Sequence, residues 1–198
     1  KSGGTAIIKI KDGTFLIVGC EVNNSKTDIT YYNGCEIYYA KNNSFKSFAS
    51  LPDNVESIVT ARVSATGDIY AYGTVYVDRY IDYFSYEYKY DVDRNVWIRT
   101  QEIDINGGIN LTNSRGDMLL ATSSAGLLYS HSSGEYSITS VMPAERNDAT
   151  GVTLSDGKFM IIGGRKAIEL PAEDDSAIYD PKRNIWIATS QMNESRCN

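Results

Sequence analysis

The chain has 198 residues and a mass of 21.9 kDa, with 19 lysines and arginines against 25 aspartates and glutamates and one histidine, His131, for a formal net charge of −6. That length suits one ordinary domain or a slice of a larger one, and the acidic balance offers no counter-charge to a phosphate backbone, which argues against nucleic acid as a partner. The longest apolar runs, such as Phe159 to Ile162, are strand-sized and far short of the roughly 20 residues that a membrane-spanning helix needs, so a soluble chain without membrane insertion is expected.

Four similar units follow one another along the chain. The first, about residues 5–50, runs through an apolar stretch from Ala6 to Ile10, an Asp12-Gly13 turn, a second apolar stretch from Thr14 to Gly19, then Tyr38 and Phe45. The second, about 57–101, repeats the order with Val59 to Ala65, Gly67-Asp68, Ile69 to Gly73, Tyr90 and Trp97. The third, about 107–141, has Ile109 to Leu111, Gly116-Asp117, Met118 to Ala121, Tyr129 and Tyr136. The fourth, about 146–190, has Thr150 to Leu154, Asp156-Gly157, Lys158 to Ile162 followed by Gly163-Gly164, then Tyr179 and Trp186.

An Asp-Gly or Gly-Asp pair ahead of a β-branched and aromatic run marks a hairpin, because these residues tolerate the positive φ of tight turns. The recurring tyrosine, six residues, aromatic pattern is specific: the second and fourth copies also share Tyr-Asp-x-x-Arg-Asn-x-Trp-Ile in register. Each unit therefore reads as four strands. No window carries the helical spacing of apolar residues with caps. A lone four-stranded sheet cannot cover both of its faces, so the units are predicted to stack as propeller blades. The tyrosines are spaced by 52, 39 and 50 residues, close to blade repeats of about 40 to 50 residues.

Few residues carry chemistry. His131 lies in Tyr129-Ser130-His131-Ser132-Ser133-Gly134 and reads as a turn residue, with no second imidazole for a catalytic pair or a zinc site. Glu173-Asp174-Asp175 lacks the spacing of a calcium loop and reads as a solvated segment. No metal or other cofactor is expected. Cys20 and Cys35 flank one hairpin connection of the first unit and are candidates for a disulfide, which would suit an oxidising compartment or a virion surface. The rival reading makes Cys20 a small buried residue, and Cys197 leaves the count odd.

The densest local feature is the tyrosine-rich stretch from Tyr76 to Tyr90. Tyr86, Tyr88 and Tyr90 alternate along a strand and suit the packing between blades, whereas Tyr80, Tyr83 and Phe84 are candidates for an exposed contact surface.

Ile161-Ile162-Gly163-Gly164, Tyr179 and Trp186, preceded by Met142-Pro143-x-x-Arg146, resemble the kelch repeat of kelch proteins and of galactose oxidase-like propellers. The resemblance covers nearly the whole chain. The fourth unit carries every element, the first has Gly19-Cys20 and the second Tyr72-Gly73 in place of the glycine pair, and the third has Thr122-Ser123. It implies an all-β fold, a kelch-like β-propeller segment of about four four-stranded blades. Gly163 and Gly164 would allow close approach, and the aromatic pairs Tyr38/Phe45, Tyr90/Trp97, Tyr129/Tyr136 and Tyr179/Trp186 would fill the blade core.

Met192-Asn193-Glu194-Ser195-Arg196 repeats the start of the fourth unit, so residues 191–198 read as the beginning of a further blade. Propellers of this family are generally rings of six or seven blades, which implies a larger ring completed by remaining blades of the same protein or by another subunit. In kelch-type binding domains the arginine of this segment often faces the mouth of the ring, which makes Arg146 and Arg196 candidates for ligand binding, with a structural role as the rival reading. The oxidase's copper chemistry does not carry over, since that site requires more than one histidine.

The expected function is a non-enzymatic recognition or assembly module that binds a protein or glycan through its loops. The alternatives are a carbohydrate-active or isomerase-type enzyme on the same scaffold, and a structural component of a virus particle or cell surface. The composition leans towards an extracellular or virion-surface location over the cytoplasm.

Overall fold

The computed structural model describes residues 4–19, 21–24, 29–52, 55–76, 83–103, 108–167 and 169–197. Among these residues every regular element is a strand. Blade 1 is a sheet of β1 (Thr5–Lys11), β2 (Thr14–Gly19), β5 (Cys35–Tyr39) and β6 (Ser44–Phe48), with a separate hairpin, β3 (Glu21–Asn24) and β4 (Ile29–Tyr32), inserted between β2 and β5. Blade 2 contains β7 (Ser57–Val63), β8 (Ile69–Tyr76), β9 (Tyr83–Asp91) and β10 (Val96–Ile103). Blade 3 contains β11 (Ile109–Thr112), β12 (Met118–Ala121), β13 (Gly126–Ser130) and β14 (Glu135–Ile138), and blade 4 contains β15 (Thr150–Thr153), β16 (Phe159–Ile162), β17 (Ser176–Asp180) and β18 (Ile185–Ala188). Each sheet is antiparallel with its strands in chain order, so the fold is all-β with four four-stranded blades. The blades fall into two compact units, residues 1–106 and 107–198, with two blades in each.

The tyrosine and aromatic spacing seen in the sequence is a cross-strand pair. Tyr38 lies opposite Phe45, Tyr90 opposite Trp97, Tyr129 opposite Tyr136 and Tyr179 opposite Trp186, with ring centroids 4.9, 5.5, 5.2 and 5.0 Å apart. Such facing pairs stabilise two strands beyond simple area burial. Three turns are closed by the tyrosine itself: its hydroxyl donates to the Oδ1 of an asparagine five residues on, at 3.1 Å for Tyr38 and Asn43, 2.8 Å for Tyr90 and Asn95, and 2.9 Å for Tyr179 and Asn184. Those asparagines hold φ of 49°, 56° and 51°, and blade 3 puts Gly134 at the same place with φ 73°. The left-handed position explains the choice, since asparagine and glycine accept it most readily.

In the first unit Leu16, Val18 and Cys35 of blade 1 pack with Ala61, Ala71, Val75, Tyr88 and Trp97 of blade 2. The Trp97 indole Nε1 donates to the carbonyl of Ala49, just past β6, at 2.8 Å. In the second unit Leu119, Ala121 and Leu128 pack with Phe159, Ile161, Ala177 and Tyr179, and Trp186 Nε1 donates to the carbonyl of Ser140, just past β14, at 2.9 Å. Fully burying one such side chain is worth about 1.5 to 3 kcal/mol, so both units rest on several of these contacts.

Two expectations need correction. Phe45 is not a core residue. In blade 1 the pair Tyr38 and Phe45 shares its face with Phe15, opposite the face of Leu16 and Val18 that blade 2 covers, and Phe45 is 59% exposed. Cys35 is a free thiol rather than half of a bridge. It is buried at the start of β5, and burial pushes its thiol up to about 11; Cys20 lies outside the described residues.

Candidate functional site

In a sheet whose strands run in chain order, the connection between the second and third strands and the segment leading to the next blade open at the same end. The candidate binding residues Arg146, Arg196, Tyr83 and Phe84 lie at or near that end. In the second unit this end is built around Arg146. The preceding segment crosses the short connection of blade 3, with Met142 N donating to Ser124 O and Arg146 N to Ser123 O, both at 2.7 Å.

The Arg146 side chain then enters blade 4, where it is 1% exposed. Its Nη1 donates to the carbonyls of Gly163 and Asp175, each at 3.0 Å, and to Asp175 Oδ1 at 2.6 Å. The guanidinium holds the Asp175 carboxyl below the usual aspartate range. Arg146 is thus committed to tying the end of β16 to the start of β17, and it presents no charge to a ligand at a mouth. The expectation of a ligand-binding Arg146 gives way to its structural rival, because the side chain is buried and its Nη1 is taken up by three acceptors within blade 4.

Gly163 and Gly164, at φ 62° and 94°, let the backbone pass this crowded point. A Cβ on Gly163 would run into the carbonyl of Arg196, and one on Gly164 would stand 2.7 Å from the carbonyl of Asn147. The close approach is therefore to the chain entering and leaving blade 4. Arg196 joins the same knot through its backbone, with its carbonyl accepting from Gly164 N at 2.8 Å. Its side chain is exposed and pairs only loosely with Glu194, at 3.3 Å. The acidic run Glu173 to Asp175 is half-buried rather than solvated: Lys166 Nζ stands 3.4 Å from Glu173 Oε1, and Gln191 Nε2 donates to Asp174 Oδ1 at 3.3 Å. Beside it, Arg165 Nε donates to Asp148 at 2.6 Å, with Asp148 at φ 52°.

In the first unit the corresponding end carries the β3–β4 hairpin and the tip of β8 and β9. Blade 2's first strand pairs as far as Ser57 with Thr74, and β8 and β9 continue for two more rungs, Val75 with Phe84 and Tyr76 with Tyr83. Phe84 is 38% exposed and lies 6.3 Å from the ring of Tyr86, over which the exposed guanidinium of Arg99 sits at 4.5 Å. Tyr83 lies in β9, and Tyr80 lies outside the described residues. Two rings and a cation on one ledge form a surface that stacks on planar or C–H faces while offering guanidinium donors.

A third cluster, on the opposite face of blade 2, has no local signature in the amino-acid order. Glu87, 4% exposed, accepts from Arg62 Nη2 at 2.9 Å and from the Tyr72 hydroxyl at 2.8 Å, and Arg62 Nε donates to Tyr72 at 2.5 Å. Thr100 Oγ1 adds a hydrogen bond to Glu87 Oε1 at 2.9 Å, and the Arg62 guanidinium lies 3.9 Å above the Tyr70 ring. Arg62 and Glu87 are brought together by the rungs Arg62 to Tyr70 and Tyr72 to Glu87, which no local spacing announces. His131 lies in the turn between β13 and β14, its amide donating to Asp117 Oδ1 at 3.1 Å. Among the described residues no group of three or more histidines, cysteines and acids is arranged to hold a metal ion.

No protein-family model matches the chain, and no curated protein does. Among solved structures, that of YjhT matches with a TM-score of 0.66 at 11% identity, over 98% of this chain and 72% of that one. A fungal alcohol oxidase of the AA5 family, in complex with copper, matches with a TM-score of 0.49 at 20% identity, over 64% of this chain and 29% of that one. The likeness to YjhT is one of fold, and with the four antiparallel sheets it makes this an all-β chain of kelch-like blades.

Proposed function

We propose that the chain is a recognition module that holds a carboxylate-bearing protein segment or glycan on the ledge of Phe84, Tyr86 and Arg99. The observation that carries this reading is the exposed Arg99 guanidinium seated over the half-buried Tyr86 ring, beside the exposed Phe84 ring, near the projecting end of β8 and β9. Tyrosine and phenylalanine give large contact area at low entropic cost, and a guanidinium engages carboxylates by paired hydrogen bonds. The test is capture of the chain on immobilised acidic and neutral oligosaccharides and on acidic and neutral peptides. The expected result is preferential capture by an acidic probe, weakened about tenfold or more in a Phe84→Ala, Arg99→Ala variant that melts like the parent. Equal capture of parent and variant, or no preference for acidic probes, overturns it.

A second reading, a carbohydrate-active or isomerase-type enzyme on the same scaffold, draws on the buried acid Glu87 between Arg62 and Tyr72. Buried carboxylates with specific charge partners are candidates for catalysis as well as for structure. Turnover of a reducing-sugar panel followed by NMR, present in the parent and lost in Glu87→Gln, would favour this reading.

A further inference from the structure

A bulge in β10 sets the charge pattern of the ledge. Of the four outer strand pairs, β5–β6, β9–β10, β13–β14 and β17–β18, only β9–β10 shifts register, between Arg99 and Gln101. Side chains three residues apart on a regular strand point to opposite faces. Here the inserted Thr100 puts Arg99 opposite Tyr88 and Glu102 opposite Tyr86, so both charges share the face of those tyrosines. Bulges re-aim side chains in this way and are over-represented beside functional sites.

The buried acid of blade 2 holds the bulge from behind. Thr100 Oγ1 donates to Glu87 Oε1 at 2.9 Å and Gln101 Nε2 to the same oxygen at 3.3 Å, while Arg62 and Tyr72 hold Glu87 Oε2. On the other face β9 and β10 present Phe84, Tyr86, Tyr88, Tyr90 and Trp97, so Arg99 and Glu102 are the two charges of an otherwise aromatic surface. Both are exposed. Arg99 lies over the Tyr86 ring, and among the described residues no ion pair joins it to Glu102. A surface ion pair between them would be too weak to shut out a ligand.

The two charges stand on adjacent rows beside one ring, and rows on one face of a strand repeat about every 7 Å. We propose that the ledge selects an extended protein segment with an acidic and a basic side chain two residues apart, the acid on Arg99, the base on Glu102 and the chain between them across Tyr86. An extended segment matches this spacing because its own side chains on one face repeat at the same interval. An acidic glycan satisfies Arg99 and leaves Glu102 without a counter-charge. The proposal rests on the reading of Phe84, Tyr86 and Arg99 as a binding surface, and it adds Glu102 as the residue that decides between ligands.

The test is capture of the chain by immobilised glycine-serine peptides that carry Asp alone, Asp-Ser-Lys, Lys-Ser-Asp or Asp-Ser-Asp, alongside an acidic oligosaccharide, with thermal melts to establish folding. The parent is expected to hold one of the mixed-charge peptides about tenfold more tightly than Asp alone, the second charge pair supplying the difference. Glu102→Gln is expected to remove that gain while keeping capture of Asp alone, with Glu102→Thr in its place should it fail to fold. Glu102→Lys is expected to invert the order and prefer Asp-Ser-Asp. Mixed-charge peptides held no better than Asp alone or the oligosaccharide, or a Glu102→Lys variant that keeps the parent's order, overturns this proposal and leaves the ledge standing. Absence of capture by every acidic probe overturns the ledge and this proposal together.

Discussion

Arg146 shows how one residue type carries opposite meanings until burial is known. A guanidinium after a Met-Pro segment suits both ligand capture and a structural tie, and the three acceptors around Nη1 decide for the tie. Removing it strands two carbonyls and a carboxylate. Arg146→Ala is therefore expected to destabilise the chain by about 2 to 4 kcal/mol, the lower end reflecting the part-exposed partner, as read by urea unfolding. The same pair sets a pH response. The Asp175 carboxyl titrates lower in the folded chain than in the unfolded one, so its contribution is full above an ordinary aspartate value of about 4 and is lost as pH falls through the folded value. Stability of the parent should fall more steeply with acid below about pH 4 than that of Asp175→Asn. Parallel acid limbs would contradict the assignment.

At the scale of the element, the strand pairs were legible because a cross-strand partner leaves a fixed spacing in the sequence. Tyrosine, six residues and an aromatic is a four-residue turn flanked by one intervening rung, and the asparagine or glycine at the end of the turn is the left-handed residue it needs. The face taken by each pair was not legible. Phe45 and Trp97 occupy equivalent positions, yet Phe45 is exposed and Trp97 is buried, because burial depends on whether another sheet lies against that face. The Arg62–Glu87 pair was equally invisible, since strand register over 25 residues of sequence creates it. The difference in burial predicts a graded response to truncation. Trp97→Ala should cost about 3 to 5 kcal/mol, and the half-buried Trp186→Ala distinctly less, although both lose an indole hydrogen bond to the preceding blade. Equal losses in chemical unfolding would show that the two units bury their tryptophans alike.

For the whole molecule, four thin sheets are viable because each unit lays one sheet's aromatic pair against the carbonyl and apolar row of the sheet before it. Kelch-like blades supply a scaffold on which loops can be changed without touching that packing, and here the parts that stand outside the shared four-strand pattern are the β3–β4 hairpin and the β8–β9 tip. The most direct measurement is NOE spectroscopy on the indole N–H protons of the two tryptophans. The account predicts contacts from the Trp97 indole to residues around Ala49 and from the Trp186 indole to Thr139 and Ser140, each some 47 residues away in sequence. Indole protons that exchange freely with water and see only their own strands would contradict it.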